Sequence, residues 1–297
     1  MNILVYCRQI QAVKNPIAIS YRNAELIAEA LGADLLMYRE DKLKQVKYDA
    51  IILTYTNRYT DYKTLEDIIL RDNPRQYLLQ TEYEPVVASY RYNKGLKRIT
   101  NFENKKWPSL NTNLLIARPA NPLQAKKYDC VYYSRHRTDR MKYCVEYLQG
   151  DVYLSTHPKN HKHFYHAGCR PKLIKHLDWT HGRETLNQFR YSLYMEDVYT
   201  HSVFNNLANR WYEAGFCNNV VFFDANCENT IRKSELGYYW EQVKDYIVSS
   251  HAELMERIKE CNKDWERHLA IQKAWRAQEL QLRSEMIAEL RRIITSE

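Results

Sequence analysis

The stretch from Leu186 to Ile231 constrains the fold more than any other part of this chain. Tyr191–Met195 is an apolar run of strand character, followed by a polar loop. Asn205–Phe216 then reads as a helix, and it carries Arg210 and Glu213 three residues apart, on one face. Val220-Val-Phe-Phe223 is a second strand run, ending at Asp224. Strand, loop, helix and strand in that order make one crossover of a parallel sheet. The cation and the carboxylate fall at its rim, where open α/β sheets bind nucleotides.

The same alternation extends in both directions. Strands are expected at Ile3–Tyr6, Asp34–Tyr38, Asp49–Thr54, Gln76–Gln80 and Asn113–Ala117, with helices at Tyr21–Leu31 and Tyr62–Leu70. Arg118-Pro-Ala-Asn-Pro122 reads as a linker, because two prolines block helix and strand alike. Strand Cys130–Tyr133, helix Asp139–Leu148, strand Val152–Ser155 and a histidine-rich loop follow. From Ser250 to Ile294 the spacing of Leu254, Ile258, Trp265, Leu269, Trp275, Met286 and Leu290 predicts one or two long amphipathic helices. A coiled-coil dimer is the competing reading of that stripe, but no strict heptad is kept.

A length of 297 residues suits two domains. With 45% hydrophobic and 27% charged residues the chain is globular rather than disordered. No apolar run approaches the ~18 residues of a membrane span, and the N-terminal Met1–Ile10 segment reads as a core strand rather than a signal peptide. Seven scattered cysteines without a CxxC pair point to reduced, buried thiols in a cytoplasm. Seven glycines and no GxGxxG or Walker sequence remove the support for dinucleotide and P-loop chemistry. A net charge of +8 suits a polyanionic partner.

Several motifs of the second half occur together in a fixed order: Lys127-Tyr-Asp-Cys-Val-Tyr132, Arg137-Thr-Asp-Arg140 with Val145-Glu-Tyr-Leu148, Arg210-Trp-Tyr-Glu213, and Val220-Val-Phe-Phe-Asp224. In this order they resemble the phage DNA β-glucosyltransferases, from about Lys126 to the end, while the N-terminal half matches in pattern alone. The resemblance implies an α/β protein of the GT-B type: two Rossmann-like, doubly wound domains with a cleft between them and a long C-terminal helical segment. The expected division is 1–122 for acceptor and DNA, 123–249 for the nucleotide sugar, and 250–297 for helices that cross back to the first domain.

The resemblance also implies roles. A UDP-sugar, UDP-glucose first, would be the donor. Arg137, Arg140 and Arg210 would hold its diphosphate, since guanidinium forks match phosphate oxygens. Glu213 would take the ribose hydroxyls, and Tyr199 would contact the donor. Glu82, after Thr81 at a strand end, would be the general base toward the acceptor hydroxyl, with Glu84 as its rival. One departure is clear. The family has glycine-rich residues after the strand that opens the donor domain, where this chain has Tyr132-Tyr133-Ser134.

Arg91–Lys106 is basic, with aromatic residues interleaved. Arg91, Lys94, Lys97, Arg98, Lys105 and Lys106 are the candidate contacts to DNA phosphates beside an extruded base; a solvated basic loop is the alternative. His157–Cys169 carries metal-ligand residue types without finger spacing, so a surface loop is expected and no metal site. Glu196-Asp197 does not form a DxD motif. A divalent ion can assist the departing diphosphate, but no motif requires one. The expectation is a monomeric enzyme in the host cytoplasm. It would glycosylate a hydroxymethylated pyrimidine in duplex phage DNA, inverting through a carboxylate base. The alternatives are a transferase acting on a surface glycan or small molecule, and a DNA-binding protein on a transferase fold.

Overall fold

The computed structural model describes residues 1–7, 19–37, 46–54, 63–80, 96–101, 105–134, 136–174, 185–197 and 204–296. The chain divides into two units, Met1–Leu115 with Gln281–Glu297, and Ile116–Leu280.

In the first unit the apolar runs become β1 (Ile3–Cys7), β2 (Asp34–Met37), β3 (Ala50–Leu53), β4 (Arg75–Gln80) and β5 (Lys97–Thr100). They lie parallel in the order β2-β1-β3-β4-β5. Every residue of β3 is buried, the mark of a parallel strand covered on both faces. Helices α1 (Ile19–Leu31) and α2 (Lys63–Asp72) supply the crossovers. From α2, Leu65, Ile68 and Ile69 pack on Leu4, Tyr6, Ile51, Leu53 and Leu78. The chain leaves α1 through Gly32 at φ +64°, a left-handed turn that glycine makes without steric cost.

One expected strand is not formed. Thr112–Ile116 is a 3-10 helix, covering most of the predicted Asn113–Ala117 strand. The Asn101 side chain accepts from the Thr112 N–H, and the Asn111 carbonyl accepts from the Leu114 N–H, so these backbone groups are satisfied locally. The edge strand is instead β5, in the basic segment, and it pairs with β4 from Tyr77–Lys97 to Gln80–Thr100.

The second unit holds β6 (Tyr128–Tyr133), α3 (Met141–Tyr147), β7 (Gln149–Ser155), α4 (His161–His166), β8 (Arg170–Ile174), β9 (Phe189–Tyr194), α5 (Asn209–Phe216), β10 (Val220–Asp224), α6 (Glu228–Lys233), α7 (Trp240–Val243), β11 (Ile247–Val248), α8 (His251–Cys261), α9 (Trp265–Trp275) and the start of α10 (Glu279–Thr295). Its strands are parallel in the order β11-β10-β9-β6-β7-β8. This is the doubly wound pattern in which strand order reverses at the first strand. β6 is that strand, between β9 and β7.

Tyrosine fills much of both cores. Tyr6, Tyr48, Tyr77, Tyr132, Tyr147, Tyr191, Tyr194 and Tyr212 are fully buried. Several keep a polar partner for the hydroxyl: Tyr48 with Asp34 at 2.9 Å, Tyr147 with the Val248 carbonyl at 2.7 Å, Tyr191 with Asn262 at 2.9 Å. All seven cysteines are buried and none is disulfide-bonded.

Ser250 to Ile294 forms three helices rather than one or two. Ser250 caps α8 by accepting from the Glu253 N–H, while the Glu253 carboxylate accepts from the N–H of Ser249, the residue before the cap. Asp264 accepts from the Arg267 N–H and so starts α9 afresh. In the first unit α10 is fastened by Tyr77, whose hydroxyl donates to the Ile293 and Ile294 carbonyls, and by Arg291, which donates to the Ala30 carbonyl.

Candidate functional site

In the second sheet, β6 and β9 end side by side where the strand order turns, and the crevice above such a point is open to a ligand. β6 delivers Tyr133 and Ser134 there. After β9 come Met195, Glu196 and Asp197.

Arg140 is the hub. It lies at the 3-10 turn Thr138–Arg140 that leads into α3, and its side chain is 6% exposed. One guanidinium nitrogen donates to Ser134 Oγ at 2.9 Å and Tyr132 Oη at 3.3 Å. A second donates to Glu196 Oε2 at 2.9 Å and Asp197 Oδ2 at 3.0 Å. Arg210, at the start of α5, pairs with Glu196 Oε1 and donates Nε to the Tyr133 carbonyl at 3.1 Å. Arg137, 45% exposed, reaches Asp197 at 3.3 Å and Asp139 at 3.5 Å. Three guanidinium groups thus converge on one buried acid pair, and Arg137 stands at the open edge.

Glu213 lies one turn beyond Arg210 on α5. Its Oε2 accepts from the Tyr133 hydroxyl at 2.5 Å. Burial pushes the Tyr133 phenol well above its ordinary value, and the neighbouring Glu213 charge adds to that, so the phenol stays protonated and donating. Tyr133 therefore ties Arg210 and Glu213 of α5 to β6, through its carbonyl and its hydroxyl.

The opposite face of α5 is anchored by buried carboxylates. Trp211 Nε1 donates to Glu279 at 2.6 Å, and the Tyr212 hydroxyl donates to Glu235 at 2.5 Å. Burial raises Glu279 to about 7 and also raises Glu235. The Arg276 guanidinium lies 3.9 Å from the centroid of the Trp211 ring, a cation–π contact, and burial pulls it down to about 10. This accounts for a glycine inside a helix. A Cβ on Gly215 would come 2.6 Å from Arg276 Nε. Asn218, at φ +54°, terminates α5 in a left-handed turn, and its side chain donates to the Asn121 carbonyl at 2.8 Å.

α5 is four residues shorter than the predicted Asn205–Phe216. Ala208 is extended, and its N–H donates to the Tyr194 hydroxyl at 2.8 Å, which fixes the helix start one residue before Asn209. The histidine segment is also not a loop. His157 caps the 3-10 turn Pro158–Asn160, and α4 follows. His136 stacks on His163 with centroids 4.3 Å apart. Among the described residues no group of three or more His, Cys, Asp and Glu is placed to hold a metal ion.

In the first unit, Lys97 and Arg98 belong to β5 rather than to a loop, while Lys105 and Lys106 are exposed beyond it. The Arg98 guanidinium and the Lys106 ammonium lie 5.8 Å and 5.1 Å from the Trp107 ring centroid. An indole flanked by cations joins stacking and phosphate chemistry in one patch. Glu82, Glu84, Arg91, Lys94 and Tyr199 lie outside the described residues. Sequence reasoning assigned no role to Glu196, Asp197, Ser134 or the Tyr133 hydroxyl. An acidic doublet directly after the strand at the point of reversal is the signal that could have found the first two.

No protein-family model and no curated protein matches the sequence. Solved structures do match its fold. T4 phage β-glucosyltransferase aligns with a TM-score of 0.74 at 16% identity, over 99% of this chain and 100% of that one. A complex of T4 phage β-glucosyltransferase with UDP and Mn2+ gives 0.71 at 14% identity, over 99% and 100%. An α-glucosyltransferase bound to UDP-glucose and DNA containing an abasic site gives 0.58 at 10% identity, over 100% of both chains. The fold expected from the sequence is the one formed: two parallel α/β sheets with helices, of the GT-B type.

Proposed function

We propose that this chain is a glycosyltransferase that moves a sugar from a UDP-sugar onto a hydroxymethylated pyrimidine of duplex DNA. The observation that carries the reading is the convergence of Arg137, Arg140 and Arg210 at the strand-order reversal of the second sheet. The full-length likeness in fold to DNA glucosyltransferases supports it, together with the basic patch around Trp107.

A departing nucleoside diphosphate gains negative charge as the glycosidic bond breaks. Fixed guanidinium forks stabilise that charge without having to reorganise. Glu196 and Asp197 hold the forks in place beforehand, and Arg137 at the open edge completes the cradle. Glu213 then receives ribose hydroxyls. Glu82 is the proposed general base that takes the proton of the acceptor hydroxymethyl group as its oxygen attacks the anomeric carbon, with inversion. Lys97, Arg98, Lys105 and Lys106, with Arg91 and Lys94, are the proposed phosphate contacts that position the duplex. Both carboxylates of the acid pair are already engaged by guanidinium groups, so the site offers a divalent ion no cage of its own. The reading places the enzyme in the host cytoplasm as a monomer.

The test is nucleoside mass spectrometry. Duplexes containing hydroxymethylcytosine or hydroxymethyluracil are incubated with the protein and a panel of UDP-sugars, alongside Glu82→Gln and Glu213→Ala. A sugar mass increment on one base, lost in both variants, is the expected result. An increment that survives Glu82→Gln removes the base from Glu82. No increment on any duplex, from folded protein, rejects DNA as the acceptor.

A further inference from the structure

We propose that the histidine-rich turn Pro158–Asn160 and helix α4 form a further contact surface for the phosphate backbone of duplex DNA, on the unit that carries the arginine cluster. The proposal rests on the DNA reading above and deepens it, by giving a surface of the second unit a partner.

The charge here has one sign. From Val152 to Ile174 the chain has no Asp or Glu, against Lys159, Lys162, Arg170, Lys172 and four histidines. Two of the cations are committed within the fold. Arg170 donates to the Tyr165 and Cys169 carbonyls at 2.8 and 2.7 Å, and Lys172 pairs with Asp151 at 2.5 Å. Lys159 and Lys162 are exposed, and among the described residues neither enters a salt bridge. His163 and His166 are exposed beside them. The crowding is felt at His163. Desolvation, followed by the charges of His136, Lys162 and His166, holds its imidazole below the ordinary value. Cations gathered without counter-charges repel one another, and a bound polyanion relieves that repulsion. A neutral imidazole still keeps one N–H to donate to a phosphate oxygen.

This surface is joined to the open edge of the arginine cluster. Arg137 is extended, so neighbouring side chains turn to opposite sides. Arg137 reaches Asp197, while His136 stacks on His163 and meets the edge of Phe164, 6.3 Å between centroids. The two surfaces differ in what they can hold. Arg137, Arg140 and Arg210 converge on one point, which suits a diphosphate. Lys159, Lys162, His163 and His166 are spread along an exposed turn and helix, which suits successive phosphates of a backbone. An anionic membrane is the weaker match. The exposed residues of α4 are Lys162, His163, Tyr165 and His166, with Phe164 buried, so the helix has no aliphatic side chain to insert.

The test is fluorescence anisotropy of a labelled hydroxymethylcytosine duplex with the full chain over a salt series, in wild type and in the double variant Lys159→Gln, Lys162→Gln. Both lysines are exposed, so the variant should unfold in urea as wild type does. Its slope of log K against log salt is expected to fall by about 2, since each phosphate contact contributes about 0.9, with binding at least about tenfold weaker at about 0.1 M salt. UDP binding, followed by calorimetry, should match wild type, which separates this surface from the arginine cluster. A wild type that binds the duplex and a variant with the same slope and affinity overturn the proposal and leave the DNA reading standing. A wild type that binds no duplex at any salt concentration overturns both. Binding of wild type to phosphatidylserine vesicles that the variant loses, with duplex binding unaltered, assigns the surface to a membrane instead and overturns the proposal as well.

Discussion

Arg140 joins the two strand ends on which the site depends. It is a buried cation between two buried carboxylates, with Ser134 and Tyr132 on its other side. Removing one member of such a cluster leaves uncompensated charge in a medium of low polarity. Arg140→Met is therefore expected to cost about 3–5 kcal/mol of stability, read as a lowered midpoint in urea unfolding. Arg137 is nearly half exposed, and its ion pairs are screened by solvent. Arg137→Ala should change unfolding by less than about 1 kcal/mol, while lowering kcat/KM for the sugar donor by about 10²–10³. An Arg137→Ala variant as unstable as Arg140→Met would show that both arginines serve only to hold the fold.

At the scale of elements, α5 is gripped from two sides. Tyr133 holds the face that carries Arg210 and Glu213, and Glu279 and Glu235 hold the residues between them. This gives the protein a pH dependence whose sign can be stated. Glu279 ordinarily titrates at 4.5 and is raised to about 7 in the folded chain. Between those values the native state keeps a proton that the unfolded chain has lost, so this group's contribution to stability falls as pH rises through the window. The loss is complete above about 7. Glu279→Gln keeps an acceptor for Trp211 but cannot ionise. It should flatten the decline in urea midpoint expected of wild type between about pH 5 and pH 7; equal slopes in the two proteins would exclude Glu279 as its source.

The elements also show what periodicity can and cannot reveal. Val220–Phe223 and Ala50–Leu53 are legible because strands buried on both faces are apolar without interruption. Asn113–Ala117 has the same apolar character and forms a 3-10 helix, because Asn101 and Asn111 satisfy its first backbone groups locally. Lys97–Thr100 gives no strand signal in the sequence because its charges hide Ile99, which is fully buried in an edge strand. Ser250–Ile294 kept its helical character, and its first break comes with the cap at Asp264 rather than with a gap in the apolar stripe.

For the whole molecule, the net charge of +8 gains meaning from where the charges sit. The cations at the second sheet are largely neutralised by Glu196 and Asp197, so they present little net charge to a long polyanion. The patch around Trp107 is better suited to a duplex. Changing Lys97, Arg98, Lys105 and Lys106 together to Glu should weaken DNA binding and reduce the slope of log K against log salt by about 3–4, since each phosphate contact contributes about 0.9. UDP binding by the same variant should be unchanged. An unaltered salt slope would move the DNA contact elsewhere on the protein.

The sequence by itself determined the class of fold and named part of the candidate site. Burial on both faces of a parallel strand, and the crossover helix it requires, leave a linear pattern of apolar runs, and Arg210 and Glu213 are neighbours on one helix turn. The order of the strands was not written locally, and the site depends on that order. Only the placement of β9 beside β6 brings Glu196 and Asp197, 56 and 57 residues along the chain, onto Arg140. Only that same placement sets Tyr133 against a carboxylate 80 residues away. Hydrogen bonds over such separations are set by the packing of whole elements, and no spacing rule within a segment encodes them.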